Sequence, residues 1–520
     1  MQKRTITDQR ILGRNVCYAE HRESNFAGTP AIWGSPISSC RIPSRLILQI
    51  AKHTTLSAIS TVISVAGRLL ITIHIARFLG PRVYGPLVFT QWCAETLAIV
   101  SSLGLPSVLT RYCSEIVSTR QPIRRARIVL FLRAAVGSLL LAAIVSASVF
   151  LWVERSEPAV VVILSICWTL AALSLSIANA ANFGLLRFDL ILLSNISYAA
   201  TGLLASHTLI TKGNVVSAMF VWILAALVGT LVSLGGLRLQ KIEDNSHNEI
   251  QLTSAREMYR YALNTWIGQL TASILWTRGE MGVLRSLVSN QDIAHYGVAT
   301  TLSGLVSQGV NLLQGGITPH LSLDWKRNNH LRIEKTLRVL SSLTFFASAI
   351  GALLCVLFAP EIVSILFGTA FAAAAPSLSI IAIGATAAGT GTINMAVQFS
   401  TNGTFQRNTT IIGAAALIFS AFILVKVLGI EGAALARTLT LTGIGFLTVL
   451  RLAPAGYPAL SRTFLRRWVV AIALIIAAGM AENFLHLSLV MRSIIFVSGF
   501  VVIFWLFIGS LSFRRFLSEG

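Results

Sequence analysis

The sequence predicts an all-α polytopic membrane protein with about fourteen transmembrane helices. They are arranged as two six-helix lobes related by a parallel repeat, plus two C-terminal helices. Three observations carry this expectation: the scarcity of charge, the recurrence of apolar stretches at helix length, and the alternation of loop charge. Of 520 residues, 54% are hydrophobic and 12% are charged, and the mean hydropathy is +0.74. Soluble domains carry about 25% charged residues. Half that leaves no ordinary soluble surface, which excludes a soluble enzyme, a disordered chain and a fibrous protein.

A helix rises about 1.5 Å per residue, so a crossing needs about 20 apolar residues. Stretches of that kind occur at 56–79, 86–109, 128–152, 159–181, 190–210, 214–237, 259–285, 295–318, 337–358, 373–398, 409–428, 432–450, 467–487 and 491–511. Many are interrupted by Gly, Ser, Thr and single charges, which favours a bundle around a polar cavity over an inert anchor.

The formal charge is +21, from 41 Lys+Arg against 20 Asp+Glu. In a soluble protein that excess points to nucleic acid. Here it follows topology, because cytoplasmic loops collect Lys and Arg. Alternate loops hold Arg111 with Arg120, Arg124, Arg125 and Arg127, then Arg187, Arg238 with Lys241, Lys326 with Arg327, Arg407, and Arg462 with Arg466. The intervening loops hold fewer: Arg77 and Arg82, Arg155, Lys212, Arg285, Lys426 and Arg492. The bias persists to the end of the chain, so both termini are expected in the cytoplasm. No basic segment interleaved with aromatics reads as a nucleic-acid groove. The six cysteines are scattered without a C-x-x-C pair or a histidine cluster, so neither a disulfide framework nor a metal or other cofactor is expected.

The expected divisions are a polar tail over 1–45, a first lobe over 46–240, a linker over 241–258, a second lobe over 259–450 and two extra helices over 451–520. The repeat shows in Tyr84-Gly85 and Tyr296-Gly297, in Gly104 and Gly316, and in Asn182-x-x-x-x-Arg187 and Asn402-x-x-x-x-Arg407. Six helices per repeat is an even number, so the lobes share orientation. Two such lobes with short loops suit alternating access. A channel would need a filter or a ring of like charges.

Arg68, Glu95, Arg278 and Glu280 fall well inside predicted crossings, away from their ends. A charge at helix centre costs about 2.5–3.5 kcal/mol on insertion scales, so each should face water or a partner. Arg68 and Arg278 are candidate binding residues for an anionic substrate. Arginine stays charged in a low dielectric and grips two oxygens at once. Glu95 and Glu280 are candidate ion-coupling or gating residues, because transport needs a carboxylate that can titrate within the bilayer. The repeat aligns Arg68 with Glu280, which allows a salt bridge between the lobes. Asn311, Asn394 and Gln398 lie on polar stripes at four-residue steps, and amides suit a sugar. The alternative for those stripes is hydrogen bonding between packed helices. Arg437 either snorkels or faces the cavity.

The stretch Arg77-Phe78-Leu79-Gly80-Pro81-Arg82-Val83-Tyr84-Gly85 closely resembles the R-x-L-G-x-x-x-Y-G signature of polysaccharide-biosynthesis (Wzx-like) flippases of the multidrug/oligosaccharidyl-lipid/polysaccharide exporter superfamily. Leu103-Gly104-Leu105-Pro106-Ser107 through Thr110-Arg111-Tyr112 resembles the block that follows in that family. Pro319, Phe367-Gly368-x-x-Phe371 and Gly429-x-x-Gly432-Ala433-Ala434 agree more loosely. The resemblance implies two six-helix lobes facing a cationic cavity. It also implies passage of a lipid-linked glycan, usually on undecaprenyl-pyrophosphate, across the bacterial inner membrane, with membrane lipids and glycosyltransferases as partners. A drug exporter of the same superfamily is a second reading, disfavoured because the internal charges are mainly Arg. A membrane polysaccharide polymerase or ligase is a third. It would need an acid or base in a sizeable loop, and the loops here are short.

Overall fold

The computed structural model describes residues 44–119, 125–153, 158–210, 214–235, 255–315, 321, 325, 330–401, 404–485 and 487–509. Gln49–Gly520 form one compact unit and Met1–Leu48 another, of which only the opening of the first helix is described. The expected 1–45 tail therefore lies almost wholly outside the described residues. The expected 241–258 linker is described only from Ala255, where a helix has begun.

All described regular structure is helical. The helices are α1 (Ser44–Ser102), α2 (Leu105–Thr119), α3 (Arg125–Val153), α4 (Ala159–Gly184), α5 (Phe188–Leu209) and α6 (Val215–Gly235). They continue with α7 (Ala255–Ser273), α8 (Met281–Leu287), α9 (Asn290–Gly315), α10 (His330–Leu357), α11 (Ala359–Phe367), α12 (Ala375–Ala385) and α13 (Gly391–Ser400). The last are α14 (Thr404–Arg451), α15 (Pro458–Leu485) and α16 (Leu489–Phe504). A π turn, Ile274–Arg278, joins α7 to α8.

Among the described residues, ten helical stretches are long and apolar enough to cross a membrane. Two of them, Thr55–Ser102 and Thr404–Arg451, have 48 residues each. At about 1.5 Å per residue that is about 72 Å, twice a bilayer core and more, so each holds two crossings. Each is broken where the sequence predicts a loop, at Gly80 (φ 70°, ψ 167°) and at Gly429 (φ 59°, ψ −135°). Pro81 is the first residue past the Gly80 break, a position where a missing N–H costs little. The segment α7–π turn–α8 and helix α9 occupy the expected 259–285 and 295–318 crossings. They carry too many polar and charged residues to read as apolar spans. The protein is an all-α polytopic membrane protein.

Two crossings depart from the straight helices expected. The stretch 86–109 stops at Ser102 because Leu103 (φ 46°) and Gly104 (φ 77°) turn left-handed before α2 restarts. At Gly104 a Cβ would lie 2.3 Å from the Ala262 carbonyl oxygen, so only glycine permits that approach. The stretch 373–398 is split by a 3₁₀ segment, Thr386–Thr390. Its carbonyls are drawn sideways: Thr344 Oγ1 donates to Gly389 O at 2.8 Å, and Ser348 Oγ donates to Thr386 O at 3.3 Å.

Helix α4 packs on α2, α3 and α6, and α5 packs on α6. Helix α12 packs on α9, α10 and α14. The two last helices are fastened to α10 by aromatics. Phe345 stacks on Phe464 and on Phe507, each at 5.6 Å. Beside them the fully buried Trp468 donates its indole N–H to Thr386 Oγ1 at 3.0 Å.

Candidate functional site

A cavity of about 680 Å³ opens among α1, α4, α5, α6 and α7. The first half of α1 supplies Ser64 and Arg68, one turn apart, and its second half supplies Gln91 and Glu95 at the same spacing. Helix α4 contributes Trp168, Ala172, Ser176 and Asn179, helical steps that keep one face turned inward. Asn195 and Tyr198 come from α5 and Trp222 from α6. Gln269, Ala272, Ser273 and Thr277 form a stripe on α7 and the π turn that closes the wall. Gln269 and Ser273 turn part of the polarity of α7 to the cavity, while Arg256, Glu257 and Arg260 in its first turns are what make it read weakly as a membrane span.

Among the described residues, Arg68 and Glu95 are the charged members of the lining. Both are exposed although they lie within membrane-length helices, because they border the cavity. They are within electrostatic reach of each other, yet no ion pair joins them. The Arg68 guanidinium lies 5.4 Å from the Tyr198 ring centroid, a cation–π contact. Glu95 Oε1 accepts a hydrogen bond from Gln91 Nε2 at 3.2 Å. Asn195 Nδ2 donates to Ser60 Oγ at 2.9 Å, which fixes the amide at the rim. Trp168 and Trp222 stack nearly parallel, 12° apart at 6.1 Å, as a rigid back wall. The resemblance implied a cationic cavity. This one carries one charge of each sign.

The other residues singled out in the sequence lie elsewhere. Arg278 is half-buried in the π turn and donates from Nη2 to Thr301 Oγ1 on α9 at 2.7 Å. Glu280 is fully buried. Its Oε1 accepts from Tyr296 Oη at 2.5 Å and from Arg437 Nη1 at 3.0 Å. Arg437 also donates from Nη2 to the Trp276 carbonyl at 2.8 Å, tying the π turn to α14. Arg437 therefore neither snorkels nor enters the cavity. The pairing of Glu280 with Arg68 across the lobes, which the repeat alignment allowed, is replaced here by a pair within the second half. Asn394 is half-buried and Gln398 exposed, and neither lines the cavity. The 3₁₀ segment before them breaks the regular face that four-residue steps assume. Asn311 lies in α9, and its side chain falls outside the described residues.

Several lining residues escaped the sequence reading: Gln91, Asn179, Asn195, Tyr198 and Gln269, with Trp168 and Trp222. A signal existed. Trp168, Ala172, Ser176 and Asn179 step along one helix face and end in polar groups, and Gln91 stands four residues before Glu95.

The R-x-L-G-x-x-x-Y-G stretch forms a joint between the halves. Arg77 Nε donates to the Leu366 carbonyl at 2.8 Å and its Nη2 to that of Ile365. Those carbonyls end α11, where a cation also meets the negative end of the helix dipole. Tyr84 is buried and meets Phe371 edge-on at 5.8 Å. A Cβ on Gly85 would lie 1.7 Å from the Asn290 carbonyl oxygen. A second joint sits at the other end of this crossing. Trp266 Nε1 donates to Ile99 O and Val100 O at 3.2 and 3.0 Å, and Gln269 Nε2 donates to Ser107 Oγ at 2.9 Å.

A helical membrane bundle with an open cavity between its helices, into which Arg68 and Glu95 are exposed, has an architecture suited to transport. The family model described as "Polysaccharide biosynthesis protein" matches residues 50–323. The chain belongs to that family. Its fold is similar to solved structures of the MOP superfamily. An inward-facing multidrug resistance MATE family transporter gives a TM-score of 0.59 at 16% identity, covering 77% of this chain and 96% of that one. The lipid II flippase MurJ in an inward closed conformation gives 0.57 at 12% identity, covering 89% and 100%. A MOP superfamily transporter from Pyrococcus furiosus gives 0.53 at 15% identity, covering 79% and 96%. No curated protein matches the sequence.

Proposed function

We propose that the protein is a flippase that moves a lipid-linked oligosaccharide or polysaccharide intermediate across the bacterial inner membrane by alternating access, coupled to an ion gradient. The observation that carries this reading is Arg68, a permanent cation exposed into the cavity and held by an aromatic ring rather than by a carboxylate. An arginine in that state is available to grip a phosphate or an acidic sugar. The volume of about 680 Å³ lies within the usual range of small-molecule sites, about 300–1,000 Å³, so it suits a headgroup of a few units and not a polymer. The amides of Gln91, Asn179, Asn195 and Gln269 suit a hydroxyl-rich ligand. Glu95, facing Arg68 without pairing to it, is the candidate proton or sodium carrier. The structurally similar MurJ is a lipid II flippase, and the family is described by polysaccharide biosynthesis. Both fit a substrate of this class, with glycosyltransferases as working partners and cytoplasmic termini.

The test is translocation of an undecaprenyl-pyrophosphate-linked oligosaccharide in inverted membrane vesicles. Arg68→Ala removes a charge-assisted contact worth about 1.5–3 kcal/mol, so uptake should fall by about tenfold or more at equal protein level. Unchanged uptake would refute the assignment. Efflux of an organic cation that persists in Arg68→Ala and disappears in Glu95→Gln would select the drug-exporter reading instead.

A further inference from the structure

Outside the cavity lining, the first turns of α15 carry Arg462, Arg466 and Arg467 around a recess of about 520 Å³ that Ala459 and Thr463 complete. Arg462 and Arg466 are four residues apart and share one face of the helix. Among the described residues these three guanidiniums make no hydrogen bond or ion pair. Arg467 is half-buried, and Arg338 on α10 lies within its electrostatic reach. The carboxylate of Glu334 is engaged by Arg338 itself at 2.8 Å. The Thr463 hydroxyl is turned back onto the Ala459 carbonyl at 2.8 Å, so the recess presents donors of arginine alone. A half-buried cation with no counter-charge among the described residues, placed beside another cation, is an arrangement that a bound anion completes.

We propose that this arginine recess binds the phosphate of an anionic phospholipid headgroup. Pro458–Leu485 is a membrane-length helix, so its first turns stand at the level where phosphates are densest. Guanidinium groups match phosphate in a planar, two-pronged fashion, and three of them around one recess supply more donors than a single snorkelling side chain. Such a site would hold one lipid against α15 while bulk lipid exchanges around it.

The experiment is native mass spectrometry of the full chain titrated with phosphatidylglycerol or phosphatidylcholine, with Arg407→Gln as a control. That control removes an exposed arginine from the start of α14. Phosphatidylglycerol should be retained in preference to phosphatidylcholine. The variant Arg462→Gln/Arg467→Gln should lose about a hundredfold or more in apparent affinity for it, about tenfold for each charge-assisted contact removed, while Arg407→Gln should not. Arg462 is exposed, so Arg462→Gln alone should melt as the parent does and still lose part of the retention. Equal retention of both lipids, parental affinity in these variants, or equal protection from thermal unfolding by inorganic phosphate alone would each overturn the proposal.

Discussion

Glu280→Ala should destabilise the folded protein by about 3–5 kcal/mol, the usual cost of removing one partner of a buried ion pair. Glu280 is 0% exposed and Arg437 8%. Truncating the carboxylate leaves a guanidinium with no opposite charge and little water, and it strips the Tyr296 hydroxyl of its acceptor. The same three groups connect α8, α9 and α14, so the loss falls on the packing of the second half. Replacing both partners by apolar residues, as in Glu280→Met/Arg437→Leu, should cost far less than either single change, because no unpaired charge is left behind. Thermal unfolding of the purified protein in lipid checks both. The double variant also separates structure from transport. If Glu280 is only a structural partner, the double variant translocates substrate; if Glu280 carries the driving ion, the variant is folded and inactive. A Glu280→Ala protein that melts with the parent would show that the pair stabilises nothing.

Gly85→Ala should be the most damaging of the single-methyl changes. The added Cβ would meet the Asn290 carbonyl oxygen at 1.7 Å and its carbonyl carbon at 2.6 Å, and both are backbone atoms at the start of α9. A side chain could rotate away, whereas here one of the two helices has to move. Overpacking of this kind costs about 1–3 kcal/mol and sometimes more. Gly137 on α3 is the internal comparison: a Cβ there meets nothing within 4 Å, so Gly137→Ala should be neutral or stabilise by about 0.5–1 kcal/mol. Unfolding midpoints of the two variants, with translocation rates alongside, decide the matter. A Gly85→Ala midpoint as high as that of Gly137→Ala would mean that this close approach is dispensable.

The crossings were legible in the sequence because membrane solvation leaves a strong, local signal: apolar runs of fixed length and basic residues in alternate loops. The breaks at Gly80 and Gly429 were legible for the same reason. What failed was geometry within a crossing. Four-residue steps place Thr386, Thr390, Asn394 and Gln398 on one face only if the helix is regular, and hydroxyls of α10 tighten it at Thr386–Thr390. Of the intramembrane charges, Arg68 and Glu95 border the cavity, while Arg278 and Glu280 do not. Nothing local distinguishes the two sets. Glu280 finds its partner 157 residues away at Arg437, a relation that spacing along the chain does not encode. The wall of Trp168, Tyr198 and Trp222 went unread because aromatic residues in membrane helices are commonly packing residues.

The Arg77–Gly85 segment has a practical consequence for hybrid proteins. Arg77, Tyr84 and Gly85 each dock onto the opposite half, at Leu366, Phe371 and Asn290 respectively. The segment and its receiving surface therefore form a single mating part, with a plug on one half and a socket on the other. A chimaera that takes the first half from this chain and the second from a distant relative should assemble only where the end of α11 and the start of α9 keep their backbone course, since Arg77 and Gly85 meet carbonyls there, and where an aromatic stands at position 371 for Tyr84.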